Sequence, residues 1–249
     1  MISIKSDYEI ELLRIAGSIV GDTHNYLKPF IKPGITTKEL DKLAYDYIIS
    51  RGATPSFLNL YGFPASVCVS VNDEVVHGIP GGRKLRNGDI VSIDIGACYK
   101  GYHGDSAWTY PVGKIDSKKQ TLLIDTEKSL FEGLSAIKEG AHVGDIGFKV
   151  ESYAKKHKLG VVKELVGHGV GSSVHEEPDV PNYGKFGTGP ELKAGMVLAV
   201  EPMLNLGTEH VYMLDDDWTV ITADGLPSAH FEHTVLVTKD GYEILTKRW

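Results

Sequence analysis

The chain is poor in cysteine, has no CxxC pair and carries no excess of positive charge. Cys68 and Cys98 are its two cysteines, and their spacing excludes a metal knuckle. Two thiols in 249 residues fit a reducing compartment, with one disulfide left open. Lys and Arg number 26 against 33 Asp and Glu, a net charge of -7. Nucleic-acid binding ordinarily needs a basic face, so no direct nucleic-acid binding is expected. An acidic balance fits a carboxylate-rich site, although it more often reflects solubility alone. No apolar run approaches membrane-spanning length, and the opening MISIKSDYEIELLRIAG lacks the basic start and apolar stretch of a signal peptide. These absences predict a cytoplasmic protein with no membrane partner. No linker interrupts the chain, so residues 1–249 are expected to form one domain.

What is present is a repeat. IKPGITTKELDKLAYDYIISRG (31–52) resembles IKEGAHVGDIGFKVESYAKKHK (137–158), and LRNGDIVSID (85–94) aligns with LKAGMVLAVE (192–201). Each stretch pairs a glycine turn with a helix, or a glycine turn with a strand that ends on a carboxylate: Asp94 in one copy, Glu201 in the other. A repeat of half the chain means two related halves of one unit rather than a solenoid. The halves run roughly 1–115 and 116–249. Apolar periodicity predicts helices over 6–29, 36–51, 117–138 and 144–157. Strands are predicted near 66–71, 89–97, 101–112, 161–166, 196–203, 210–213, 217–223 and 230–238. The fold class is α+β, with helices covering one face of a largely antiparallel sheet and the halves related by a pseudo-two-fold.

Four carboxylates sit on predicted strands. Asp94 and Asp105 lie on the two arms of a hairpin whose loop falls near Tyr99-Lys100-Gly101, which brings Asp105 near the level of Asp94. Two unpartnered carboxylates at that distance repel, and a cation between them removes the difficulty. Glu201 in GMVLAVEPM and Glu232 in SAHFEHTVLVT lie in apolar runs, where a charge is expensive to bury alone. By the repeat, Glu201 mirrors Asp94 and Glu232 mirrors Asp105, so four carboxylates converge. His168 in LVGHGVG is the expected fifth ligand, its flanking glycines allowing the backbone close to a ligand. Oxygen ligands with one imidazole suit Mn, Fe or Co, and five such side chains can hold two divalent ions.

SIDIGA, YHGDSAW, GHGVG, LAVEPM and HFEHTVLVT resemble, in order, the five metal-ligand motifs of type I methionine aminopeptidases; VNDEVVHGIP and HEEPDVPNYG resemble two further signatures of that family. The resemblance covers nearly the whole chain and implies the pita-bread fold, a duplicated α+β structure. It implies cotranslational removal of the initiator methionine from the N-termini of nascent polypeptides, with a small second residue preferred. Asp94 would chelate one ion, Asp105 and Glu232 would bridge both, and His168 and Glu201 would complete the second site. Glu201 would also take a proton from the attacking water. His175 would stabilise the oxyanion, and His77 would contact the scissile amide nitrogen or the residue after methionine. Phe57, Leu60, Phe63, Cys68, Val174 and Trp218 would form the methionine pocket. Leu60 stands where an aromatic is common in relatives, and Val174 where a larger apolar residue is common. Asn72 and Ser228 would hold a monovalent cation. A monomer with transient ribosome association completes the expectation.

Two rivals remain from the sequence. A proline aminopeptidase or prolidase shares the fold, but those relatives usually carry a large extra N-terminal domain, and here the chain starts almost directly with the catalytic fold. A catalytically inactive binding homologue would have lost ligand types that this chain retains.

Overall fold

The structure, a computed structural model, describes residues 2–247. The first half contains helices α1 (Asp7–Leu27) and α2 (Thr37–Ser50) and strands β1 (Thr54–Pro55), β2 (Val67–Val71), β3 (Glu74–Val76), β4 (Ile90–Tyr99) and β5 (Tyr102–Pro111). The second half begins with α3 (Ser117–Leu134), α4 (Val143–Lys156), β6 (Gly160–Val161), β7 (Gly167–Gly169) and β8 (Glu176–Val180). It continues with β9 (Val197–Val200), β10 (Met203–Asn205), β11 (Val211–Met213), β12 (Val220–Thr222), β13 (Ser228–His230), β14 (His233–Val237) and β15 (Tyr242–Ile244). Two helices followed by antiparallel strands therefore occur twice. Among the described residues no helix is long and apolar enough to cross a membrane.

The repeat extends to individual hydrogen bonds. The Gly34 N–H donates to the Leu85 carbonyl at 2.8 Å, and the Gly140 N–H to the Leu192 carbonyl at 2.9 Å. Leu85 returns its N–H to Ile35 at 2.8 Å, and Leu192 to Ala141 at 2.7 Å. Thr36 bridges to Lys84 as His142 bridges to Glu191. Just there the second helix of each half starts. The Thr36 N–H is taken by the Glu39 carboxylate at 2.7 Å and the His142 N–H by Asp145 at 2.8 Å. Such reciprocal caps stabilise a helix start by about 0.5–2 kcal/mol. Residues 135–140 form the turn that sets Gly140 against Leu192, which is why α3 ends at Leu134 and not at 138 as predicted.

Strand β4 shows how the layers are built. Its alternate residues Val91, Ile93, Ile95 and Ala97 join the main core with Val20 of α1, Leu40 of α2, Leu130 of α3 and Ile146 of α4. Ser92 and Asp94 therefore take the opposite face. The β4–β5 pairing runs to Tyr99↔Tyr102. Lys100 and Gly101 form the two-residue turn, both with positive φ (48° and 84°), as a type I′ hairpin requires. Asp94 opposes Ala107 and Asp105 opposes Gly96, so the two carboxylates share a face diagonally instead of standing level.

The second ribbon differs. β9 pairs with β14 (Val200↔His233) and β10 with β13 (Met203↔His230) in one continuous register, which sets Glu201 opposite Glu232. Pro202 has no N–H to donate, and the ladder opens there. The Phe231 N–H still reaches the Pro202 carbonyl at 3.3 Å, and the Glu232 N–H, facing away from the ladder, donates to the Ala107 carbonyl of β5 at 2.8 Å. The predicted strands 196–203 and 230–238 are thus each broken at the acidic residue, and Glu232 precedes β14. The predicted strand 161–166 shortens to β6 because 164–166 leave the sheet to line a cavity.

Candidate active site

The seam between the halves fixes the acidic residues by their backbones. Thr234 Oγ1 donates to the Asp105 carbonyl at 2.7 Å and accepts the Asp105 N–H at 3.0 Å. Ser106 Oγ donates to the Glu232 carbonyl at 2.6 Å. With the Glu232 to Ala107 bond, each ribbon holds the other at its acidic residue.

Asp105, His168 and Glu232 are buried and offer ligand atoms that all lie within 4.8 Å of one another. His168 Nε2 stands 3.8 Å from Asp105 Oδ2 and 3.5 Å from Glu201 Oε1. Its Nδ1 lies 2.9 Å from the Gly169 carbonyl, which assigns the proton to Nδ1 and turns the Nε2 lone pair toward the acids. Asp94 and Glu201 line the same cavity. His168 sits on strand β7. A side chain at Gly167 would meet the Ala199 carbonyl, and one at Gly169 the Glu177 carbonyl. The glycines let β7 pass between its neighbours; they do not bring backbone to a ligand.

Asp94 Oδ1, Asp105 Oδ1 and Glu232 Oε1 are buried with no hydrogen-bond partner among the described residues. Burial lifts the Asp94 and Glu201 carboxyls to about 7. Burial and then the neighbouring carboxylates push Asp105 and Glu232 well above the usual range. Orphaned acidic oxygens packed around an imidazole lone pair are what divalent cations satisfy, so the donor set fits metal ions.

The acids lie in a cavity of about 430 Å³ with an apolar wall of Phe57, Leu60, Phe63, Cys68 and Trp218. Phe63 meets Trp218 edge-on at 5.0 Å. Val174 is buried in the same apolar cluster, behind the residues that line the cavity. His77 and His175 both line the cavity. His77 has φ 59°, a region costly for a non-glycine residue by about 1–3 kcal/mol. Its neighbour is tied down, the Gly78 N–H donating to Ser70 Oγ at 3.1 Å. Burial drives the His77 imidazole down to about 4, and burial, then His77, lowers His175. Both rings are therefore neutral near pH 7. His175 lies edge-on to His168 at 4.4 Å.

Ser228 and Asn72 do meet, the Ser228 N–H donating to the Asn72 carbonyl at 2.9 Å. The Asn72 amide oxygen accepts from the Ile90 N–H at 3.1 Å and the Lys119 ammonium at 3.2 Å. Two residues escaped the sequence reading. Tyr61 stacks on His175 at 5.8 Å and lines the cavity, with no sequence signal beyond its place in an aromatic loop. His230 is buried with Nε2 at 3.6 Å from Glu201 Oε2. Its spacing of two residues from Glu232 was the available clue.

Residues 11–239 match the profile described as Metallopeptidase family M24. The chain is 53% identical over 247 residues to Methionine aminopeptidase 1 of Bacillus subtilis (strain 168), covering 99% of this chain and 100% of that one. The crystal structure of methionine aminopeptidase from Rickettsia prowazekii superposes with a TM-score of 0.98 at 42% identity, covering 99% of this chain and 100% of that one. A prolidase from Pyrococcus furiosus gives a TM-score of 0.81 at 24% identity, covering 99% of this chain and 66% of that one, a likeness of fold alone.

Proposed function

The chain belongs to metallopeptidase family M24, among its methionine aminopeptidases, and on that premise we propose that it removes the initiator methionine from nascent polypeptides. It is a metalloaminopeptidase of the pita-bread fold and takes divalent metal ions. Asp94, Asp105, His168, Glu201 and Glu232 are the side chains assigned to hold two of them. The observation that carries this is the cluster of Asp105, His168 and Glu232, with orphaned oxygens on both acids and a third on Asp94 in the same cavity. The set suits Mn, Fe or Co. When bound, such ions supply Lewis acidity and make a water molecule more acidic.

The residues of the chain divide the remaining work. Glu201 accepts the proton of the attacking water. His175 donates to the carbonyl oxygen as negative charge develops on it. His77 contacts the scissile amide nitrogen or the second residue. Phe57, Leu60, Phe63, Cys68 and Trp218 enclose the methionine side chain, whose unbranched thioether suits an aromatic and sulfur-lined wall. Val174 supports that wall from behind. A small second residue is preferred. The same reading includes a monovalent cation beside Asn72 and Ser228, where Lys119 already lies against the Asn72 amide. It also includes a single catalytic unit of both halves, acting as a cytoplasmic monomer that meets nascent chains at the ribosome.

The test is metal-free enzyme given Mn, Fe or Co in turn, with Met-Ala and X-Pro peptides as substrates. Metal-dependent release of methionine from Met-Ala is expected. Turnover of X-Pro without Met-Ala would assign the chain to the prolidase activity, and no metal uptake would leave a binding role.

A further inference from the structure

His230 plays no part in the chemistry assigned above, yet its placement is unusually constrained. It ends β13 at the break in the second ribbon and pairs with Met203. Thr109 of β5 grips it from the other half: the His230 N–H donates to Thr109 Oγ1 at 2.9 Å, and Thr109 Oγ1 lies 2.9 Å from the His230 carbonyl. The residue is 1% exposed, and its Nε2 has no hydrogen-bond partner among the described residues. A buried ring nitrogen left unpaired is uncommon and calls for a partner.

The nearest acid supplies one. Glu201 stands between two imidazoles. Its Oε1 is 3.5 Å from His168 Nε2, and its Oε2 is 3.6 Å from His230 Nε2. By register, Glu201 opposes Glu232 and Met203 opposes His230, so His230 lies diagonally across the ribbon on the face that Glu201 shares. A formed N–H···O bond measures roughly 2.7–3.2 Å, so a side-chain movement of about half an ångström closes the gap. Carboxylates that ligate metals are themselves held by hydrogen bonds from outside, and those partners set both orientation and affinity.

We propose that His230 is a positioning residue: its Nε2–H holds the outer oxygen of Glu201, so that Glu201 turns its other oxygen toward His168 and the cation site. The inference deepens the proposed function and rests on Glu201 being a metal ligand. It makes the two oxygens of Glu201 unequal, one facing the chemistry and one anchored to the scaffold. The anchor comes from the partner strand of the same ribbon, at the point where Pro202 interrupts the ladder.

The experiment is calorimetric titration of Mn(II) into metal-free wild type, His230→Leu and His230→Gln, with kcat and KM on Met-Ala for the loaded proteins. His230→Leu is expected to weaken the tighter Mn(II) step roughly 10–100-fold and to lower kcat with KM within about two-fold. His230→Gln, which keeps an N–H donor, is expected to hold Mn(II) within about three-fold of wild type. If His230→Leu does not fold, His230→Asn, whose shorter amide falls short of Glu201, replaces it with the same expected loss. Proton NMR of the Co(II)-loaded wild type adds a readout that simple packing does not move. One exchangeable imidazole proton shifted by the paramagnetic ion, that of His168, is expected. A second one, absent in His230→Gln, would make His230 a direct ligand and overturn the positioning role. Unchanged Mn(II) affinity in His230→Leu overturns the inference alone, whereas wild type that binds no Mn(II) overturns the proposed function beneath it.

Discussion

The two acidic ribbons do the same task with different construction. In the first half, β4 and β5 pair without interruption, and Asp94 and Asp105 project from inside the strands. In the second half the ribbon is cut at Pro202, and Glu201 and Glu232 flank the cut. The β4–β5 ladder is complete, and the outer edge of β5 still bonds to the second ribbon through the Asp105 N–H and carbonyl and the Ala107 carbonyl. The interrupted one lacks the bond that Pro202 cannot donate, while the Phe231 N–H still reaches the Pro202 carbonyl at 3.3 Å and the outward-facing Glu232 N–H bonds to Ala107 of the intact ribbon. One copy of the repeat is thus an uninterrupted hairpin and the other an interrupted one, and the joint between halves takes bonds from both. The site forms where the second copy departs from the first.

Removing an acid from the intact ribbon should have the largest effect. Asp105→Asn is expected to lower kcat/KM by well over the roughly 10–100-fold that outer-shell changes cause, with circular dichroism unchanged. Full activity in that variant would remove Asp105 from the metal set. Next comes the joint. Thr234→Val deprives the Asp105 N–H and carbonyl of their partner and is expected to destabilise by about 1–3 kcal/mol in denaturant unfolding. A matching Ser106→Ala change loses one bond to the Glu232 carbonyl and should cost about 1 kcal/mol. Equal effects would mean that the two bonds of Thr234 contribute no more than the single bond of Ser106.

Metal removal sharpens the comparison through pH. Burial raises Asp94 and Glu201 to about 7 from ordinary values of 3.8 and 4.5. A raised acid favours the folded state when protonated, so this contribution is full below about pH 4 and is lost as pH rises through about 7. With chelator present, the melting temperature contributed by this site should therefore fall between pH 5 and pH 8. Added Mn(II) should restore it at pH 8, where the carboxylates are free to bind. The smallest effect is expected at the repeated caps. Thr36→Ala should cost about 1 kcal/mol, read as a melting shift of a few degrees, with activity retained.

These contrasts also explain what the amino-acid pattern disclosed. The helix starts at Thr36 and His142, and the matching of Leu85 with Leu192, follow from local turn and capping chemistry that a short segment carries by itself. The convergence of Asp94, Asp105, Glu201 and Glu232 was readable because the repeat relates them. The break at Pro202 was not, since HFEHTVLVT alternates as an unbroken strand would and the partner of the Glu232 N–H lies over a hundred positions away. The glycines beside His168 read as letting backbone approach a ligand, because only the neighbouring strands reveal that they let β7 pass between them. His230 stayed hidden for the same reason: its partner Glu201 lies on another strand.

Anomalous diffraction from crystals loaded with Mn(II) tests the account most directly. Two peaks are expected within the group formed by Asp94, Asp105, His168, Glu201 and Glu232, with ligands drawn from both ribbons. Manganese bound elsewhere, or touching the acids of one ribbon only, would contradict the claim that the two halves build one metal centre between them.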